Sequence, residues 1–132
     1  MGSGLKGSSY GHSLAAAGDV NGDGYDDVVI GAYRYKNGEQ ETEEGAGFLY
    51  YGSENGLSKD APDWQVESDQ PYAQLGYAVA GAGDLNCDGF DDLVLGARYY
   101  TGDEDSEGAV YVYYGSKAVS YTHLTLPTIL LV

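Results

Sequence analysis

The sequence predicts an all-β fold of two four-stranded antiparallel units, the second of them incomplete. Three observations carry this: an internal repeat, short apolar runs between turn-rich segments, and no stretch with a helical period. Residues 10–35 read YGHSLAAAGDVNGDGYDDVVIGAYRY, and residues 75–100 read LGYAVAGAGDLNCDGFDDLVLGARYY. At an offset of 65 they align without a gap, and 14 of 26 positions are identical. GAGFLYYGS, starting at Gly45, recurs as GAVYVYYGS from Gly108, at an offset of 63. The 132 residues thus hold nearly two copies of one unit, where length alone would suggest a single domain.

In the first copy, strands are expected at 13–18, 27–32, 45–51 and 64–67. The second copy has counterparts at 78–83, 92–97 and 108–114, and no evident equivalent of the fourth. The first strand of each copy is made of small residues, Ala15, Ala16 and Ala17 or Ala80, Gly81 and Ala82, as befits strands crowded near an axis. Val28, Val29 and Ile30, like Leu93, Val94 and Leu95, are apolar on both faces. So are Phe48 to Tyr51 and Tyr111 to Tyr114. A sheet with one wet face would alternate apolar and polar residues instead. Four-stranded sheets covered above and below and tapering inward are propeller blades. The organisation read from this is 1–9 as the end of a preceding blade or a linker, 10–74 as one blade, 75–117 as an incomplete second, and 118–132 as a non-native tail.

Charge narrows the function. The chain has 21 acidic and 6 basic side chains, a formal net charge of −15. That argues against nucleic acid and against an anionic membrane surface, both of which need clustered Lys and Arg. No run approaches the roughly 20 apolar residues of a membrane span, and no signal peptide follows Met1. A single cysteine, Cys87, excludes a disulfide framework and a multi-cysteine zinc site.

The acids are not spread evenly. Asp19-Val20-Asn21-Gly22-Asp23-Gly24-Tyr25-Asp26-Asp27 is one cluster, and Asp84-Leu85-Asn86-Cys87-Asp88-Gly89-Phe90-Asp91-Asp92 repeats it. Side-chain oxygens recur at loop positions 1, 3, 5 and 9, with glycine at 6 for a sharp turn. Calcium takes six to eight oxygen ligands in a flexible shell, and this spacing wraps them round one ion. Position 7, Tyr25 or Phe90, would give a backbone carbonyl and so is free to be aromatic. Three carboxylates this close would repel one another without a cation. An EF-hand is excluded, because its position 12 needs a bidentate Glu and is Ile30 or Leu95 here. Magnesium, which demands strict octahedral geometry, suits the loop less. The plain alternative is an Asx-rich hairpin turn without metal, which two copies of the whole spacing disfavour.

These residues resemble the FG-GAP repeats that form the seven-bladed β-propeller of integrin alpha subunits and of many secreted bacterial proteins. Tyr10-Gly11 and Leu75-Gly76 stand for the "FG", and Gly31-Ala32 and Gly96-Ala97 for the "GA" of "GAP". Neither copy keeps the Phe, and Tyr33 and Arg98 replace the Pro. The likeness covers roughly residues 8–117. It implies a nine-residue, hairpin-borne calcium loop in each blade, and hence two Ca²⁺ sites. The ligands carried over are Asp19, Asn21, Asp23, Tyr25 and Asp27, then Asp84, Asn86, Asp88, Phe90 and Asp92. Asp26 and Asp91 are left as outer-sphere or solvent-facing residues.

Other features read blandly. Glu39, Glu41, Glu43 and Glu44, and the acids between Asp103 and Glu107, suit solvated loops. Cys87 replaces Gly22 and is read as a tolerated small residue, with no base nearby to activate it. His12 stands where the second copy has Tyr77, a packing position. Neighbouring Asp26-Asp27 and Asp91-Asp92 point to opposite faces of a strand and make poor catalytic pairs. No Ser-His-Asp constellation is present, so no enzyme is expected. Residues 119–128, VSYTHLTLPT, resemble the translation of sequencing-adapter read-through, and Pro127 speaks against a central strand there.

The expected function is a calcium-binding, non-catalytic extracellular module, secreted or at a cell surface, whose parent propeller takes a protein or glycan ligand. The alternative is the accessory propeller of a secreted hydrolase or lyase. Two blades cannot close a ring of four to eight, so the isolated fragment is expected to self-associate through exposed apolar faces.

Overall fold

The computed structural model describes residues 9–36, 43–57, 62–68, 72–99, 108–116 and, as strand pairing alone, 128–131. Glu39, Glu41, the acids from Asp103 to Glu107 and the tail up to Pro127 lie outside the described residues. Two four-stranded antiparallel meanders follow one another. The first is β1 (Ser13–Gly18), β2 (Asp27–Ala32), β3 (Ala46–Tyr50) and β4 (Trp64–Glu67), in that spatial order. The second is β5 (Leu75–Gly83), β6 (Asp92–Ala97), β7 (Ala109–Tyr113) and β8 (Thr128–Leu131). Among the described residues no helix is long and apolar enough to cross a membrane.

Two differences from the expected strands have physical causes. β5 begins at Leu75 rather than Ala78, with its pairing to β6 interrupted between those residues. Gly76 there has φ +91°, which breaks the period-2 pattern that marks a strand. The second sheet is also not one strand short. Residues 128–131 pair along β7, with Ala109 opposite Leu131 and Val112 opposite Thr128. An unpaired β7 edge would leave a row of backbone donors and acceptors open, and a Thr-Ile-Leu-Leu segment can satisfy them. It does so as an edge strand, with Pro127 just outside it.

The two sheets pack face to face. Alternation along the strands sends Val29, Leu49 and Trp64 of the first sheet against Leu93, Leu95 and Tyr113 of the second, in one buried cluster. Trp64 meets Tyr113 edge-on, with ring centroids 4.9 Å apart. Each fully buried Leu or Val contributes about 1.5–3 kcal/mol. The small residues of the first strands allow close approach: Gly81 of β5 lies against the Ala16 carbonyl with no room for a Cβ. Backbone bonds stitch the same seam, Gln74 N–H to Glu43 O at 3.2 Å and Leu75 N–H to Glu44 O at 3.0 Å.

Candidate metal centres

Each acidic loop joins the first strand of a sheet to the second, and the two loops are near copies in space as in sequence. Asp19 folds its carboxylate back over its own loop and accepts the Asp23 N–H at 3.1 Å and the Gly24 N–H at 2.8 Å. Asp84 accepts from Asp88 at 3.1 Å and Gly89 at 2.8 Å. Asp23 takes the Tyr25 N–H, and Asp88 the Phe90 N–H, both at 3.0 Å. Gly24 and Gly89 have φ of +90° and +92°, so the expected sharp turn at position 6 is present.

Position 9 has a second task. Asp27 is fully buried and accepts the Val20 N–H at 2.8 Å and the Gly52 N–H at 2.9 Å. Asp92, also fully buried, accepts Leu85 at 2.7 Å and Gly115 at 2.9 Å. One carboxylate therefore ties the acidic loop to the chain leaving the third strand. Burial pushes the Asp27 carboxyl up to about 6, against the pull of the Gly52 and Val20 N–H groups, and the nearby Asp23 and Asp19 charges add to the rise. Hydrogen bonds, first from the Gly89 N–H, hold the Asp84 carboxyl below its ordinary value.

The donor sets fit a hard cation, each loop in its own way. One oxygen from each of Asp84, Asp88 and Asp92 lies within 4.8 Å of the others, a gathering no other His, Cys, Asp or Glu group makes among the described residues. Asp19, Asp23 and Asp27 are not drawn to that distance. In their loop Asn21 is 7% exposed, and its Oδ1 is buried with no hydrogen-bond partner, although Nδ2 donates to Asp23 at 3.2 Å. An orphaned buried acceptor costs about 1–3 kcal/mol, and a cation would satisfy it. Asn86 in the second loop is exposed.

Asp91, left as outer-sphere or solvent-facing by the sequence, has its partner in the other loop. Its carboxylate accepts the Asp19 N–H at 2.8 Å, and its own N–H donates to the Asp19 carbonyl at 3.0 Å. It clasps the first loop to the second. Asp26, its counterpart, is exposed. Phe90 spreads its ring over Gly22, where a Cβ would come within 2.6 Å of it. Tyr25, the equivalent of Phe90, is 42% exposed. The repeat marked these positions, but their partners sit on the other sheet, where a one-strand parity argument cannot see them.

Cys87 is exposed and adopts φ +57°, where Gly22 has +73°. A non-glycine residue in this region costs about 1–2 kcal/mol. Cys87→Gly is therefore expected to raise unfolding free energy by about 1 kcal/mol in urea titrations, with or without calcium. An unchanged or lower midpoint would contradict it.

His12 packs between Tyr33 and Tyr77, with ring centroids 4.8 and 5.0 Å away. The Arg98 guanidinium sits 3.9 Å over Tyr77 and 4.6 Å over Tyr99, in cation–π contact. It also donates to Gln74 at 3.0 Å.

The FG-GAP repeat family model matches residues 10–51 and 75–113, one stretch in each sheet. Over 116 residues the chain is 35% identical to Integrin alpha pat-2 of Caenorhabditis elegans, covering 81% of this chain and 9% of that protein. It is 37% identical over 109 residues to human Integrin alpha-7, covering 83% of this chain and 8% of the relative. Mouse Integrin alpha-IIb is 33% identical over 111 residues, covering 82% and 10%. The chain spans about a tenth of the length of the curated relatives it matches. Two loop-and-sheet units with the same strand order, each matched by the same family model, place this chain in the FG-GAP repeat family.

Proposed function

We propose that the chain is a calcium-binding, non-catalytic module that works outside the cell, each acidic loop holding one Ca²⁺. The convergence of Asp84, Asp88 and Asp92 carries the reading, and the orphaned Asn21 oxygen supports the same role for the first loop. Asp19, Asn21, Asp23, Asp27 and the Tyr25 carbonyl would hold one ion. Asp84, Asn86, Asp88, Asp92 and the Phe90 carbonyl would hold the other. The ion supplies positive charge where three carboxylates crowd and fixes the hairpin whose position-9 Asp anchors the sheet. The likeness to integrin alpha chains supports an extracellular place and a protein or glycan ligand bound by a longer parent. Calcium modules outside cells commonly bind at about 10⁻⁴–10⁻³ M.

Isothermal titration after chelation is expected to show two equivalents of calcium bound. At a free concentration tenfold above Kd each site adds about 1.4 kcal/mol of stability, read as a rise in melting temperature that magnesium reproduces poorly. No heat and no melting shift would overturn the assignment.

A further inference from the structure

The two acidic loops touch, and the contact is made by a residue set between two ligand positions of one loop and aimed at the first ligand position of the other. Asp91 stands between Phe90 and Asp92, which would bring a backbone carbonyl and a carboxylate to the second ion. Its carboxylate accepts the Asp19 N–H at 2.8 Å, and its own N–H donates to the Asp19 carbonyl at 3.0 Å. Asp19 opens the first loop. The same carboxylate lies against Gly18 and leaves no room for a Cβ there, while the Phe90 ring covers Gly22. Gly115, whose N–H holds Asp92 at 2.9 Å, packs against the carbonyls of both Asp91 and Val20. The first loop is thus met by the second at Gly18, Asp19, Val20 and Gly22, either directly or through Gly115.

We infer that the two loops take up calcium cooperatively, with Asp91 as the residue that positions Asp19 for the first ion when the second is bound. This coupling rests on the calcium reading of both loops and adds a dependence between them. Holding Phe90 and Asp92 on an ion fixes the chain on both sides of Asp91, and the paired hydrogen bonds pass that constraint to the Asp19 backbone. Asp19 is then kept with its carboxylate turned over its own loop, where it accepts from Asp23 and Gly24. The second loop leads, because its three carboxylates already converge. Linkage makes the effect reciprocal, so an ion in either loop raises the affinity of the other by the same factor. Charge works the other way. Each ion lessens the attraction of a chain of net charge −15 for the next, but at 0.15 M salt that effect is screened beyond about 8 Å.

The test is calcium titration of the full chain at about 0.15 M salt, followed on the Gly24 and Gly89 amide resonances, one in each loop. Asp88→Asn leaves only the first site and Asp23→Asn only the second; both residues are exposed and accept N–H groups of their own loops. The coupling is the product of the two wild-type association constants divided by the product of those from the two single-site variants. It is expected to be about fivefold or more, as is usual for linked sites, and to fall to about one when all three proteins also carry Asp91→Ala. Asp26→Ala removes the same charge at the exposed counterpart and leaves the coupling unchanged. Two ions bound with a ratio of one overturn the coupling and leave the calcium sites standing. A ratio that survives Asp91→Ala, or falls equally with Asp26→Ala, overturns the role of Asp91. No calcium uptake at all overturns the calcium reading and the coupling with it. The wild-type ratio involves no change at Asp91, so it can overturn the coupling even if Asp91→Ala does not fold.

Discussion

Replacing Asp92 with alanine is expected to cost the chelated chain about 3 kcal/mol and to abolish calcium binding at the second loop. The fully buried carboxylate accepts the Leu85 and Gly115 N–H groups. Removing it leaves two backbone donors without partners, each worth about 1–3 kcal/mol, and frees the chain leaving β7 from the loop between β5 and β6. Asp88→Asn is the informative contrast. Asp88 is exposed and accepts the Phe90 N–H within its own loop, so its stability under chelation is expected to stay within about 0.5 kcal/mol of wild type. Its calcium binding at that loop should be weakened as severely as that of Asp92→Ala. Urea titrations with chelator and with calcium separate the two roles of position 9. Equal stability of Asp92→Ala and wild type under chelation would show that the carboxylate serves the ion alone.

That double role shows what the sequence can and cannot reveal here. The loop spacing alone picked out Asp27 and Asp92, because the 1-3-5-9 pattern is local. Their hold on Gly52 and Gly115, more than 20 residues away, depends on where the third strand ends. The strands from 27 to 32 and from 92 to 97 were legible because the repeat and the two-sided apolar run agree. The start of β5 was not, because Gly76 bends the chain where a strand signal would alternate. β8 was missed since nothing in the first copy resembles Thr-Ile-Leu-Leu. The contact Asp91 makes is illegible in the sequence for a related reason. Parity correctly turned Asp91 away from its own loop, but its partner is Asp19, 72 residues earlier. A repeat reveals its unit; the contacts between units appear only when the units are stacked.

The sharpest consequence of that stacking is a pair of glycines equivalent in sequence and opposite in environment. Gly31→Ala is expected to destabilise the chain by about 2–3 kcal/mol, the upper part of the range for overpacking. The new Cβ would run into the Gly76 carbonyl and the Ser13 hydroxyl. The carbonyl is backbone, already accepts the Ser13 hydroxyl at 2.8 Å, and belongs to a residue packed against Ala32 and Ala46, so it has little freedom to retreat. Gly96→Ala is expected to be neutral or stabilising by up to about 1 kcal/mol. Its Cβ meets nothing nearer than the Ala78 carbonyl at 3.8 Å, its φ is not positive, and alanine narrows the unfolded ensemble. Chemical denaturation of both variants at high dilution, where copies of the chain are kept apart, reads the difference directly. Equal costs at the two positions would mean that both glycines serve the strand itself. Opposite signs would locate the demand for glycine in the neighbour that covers it.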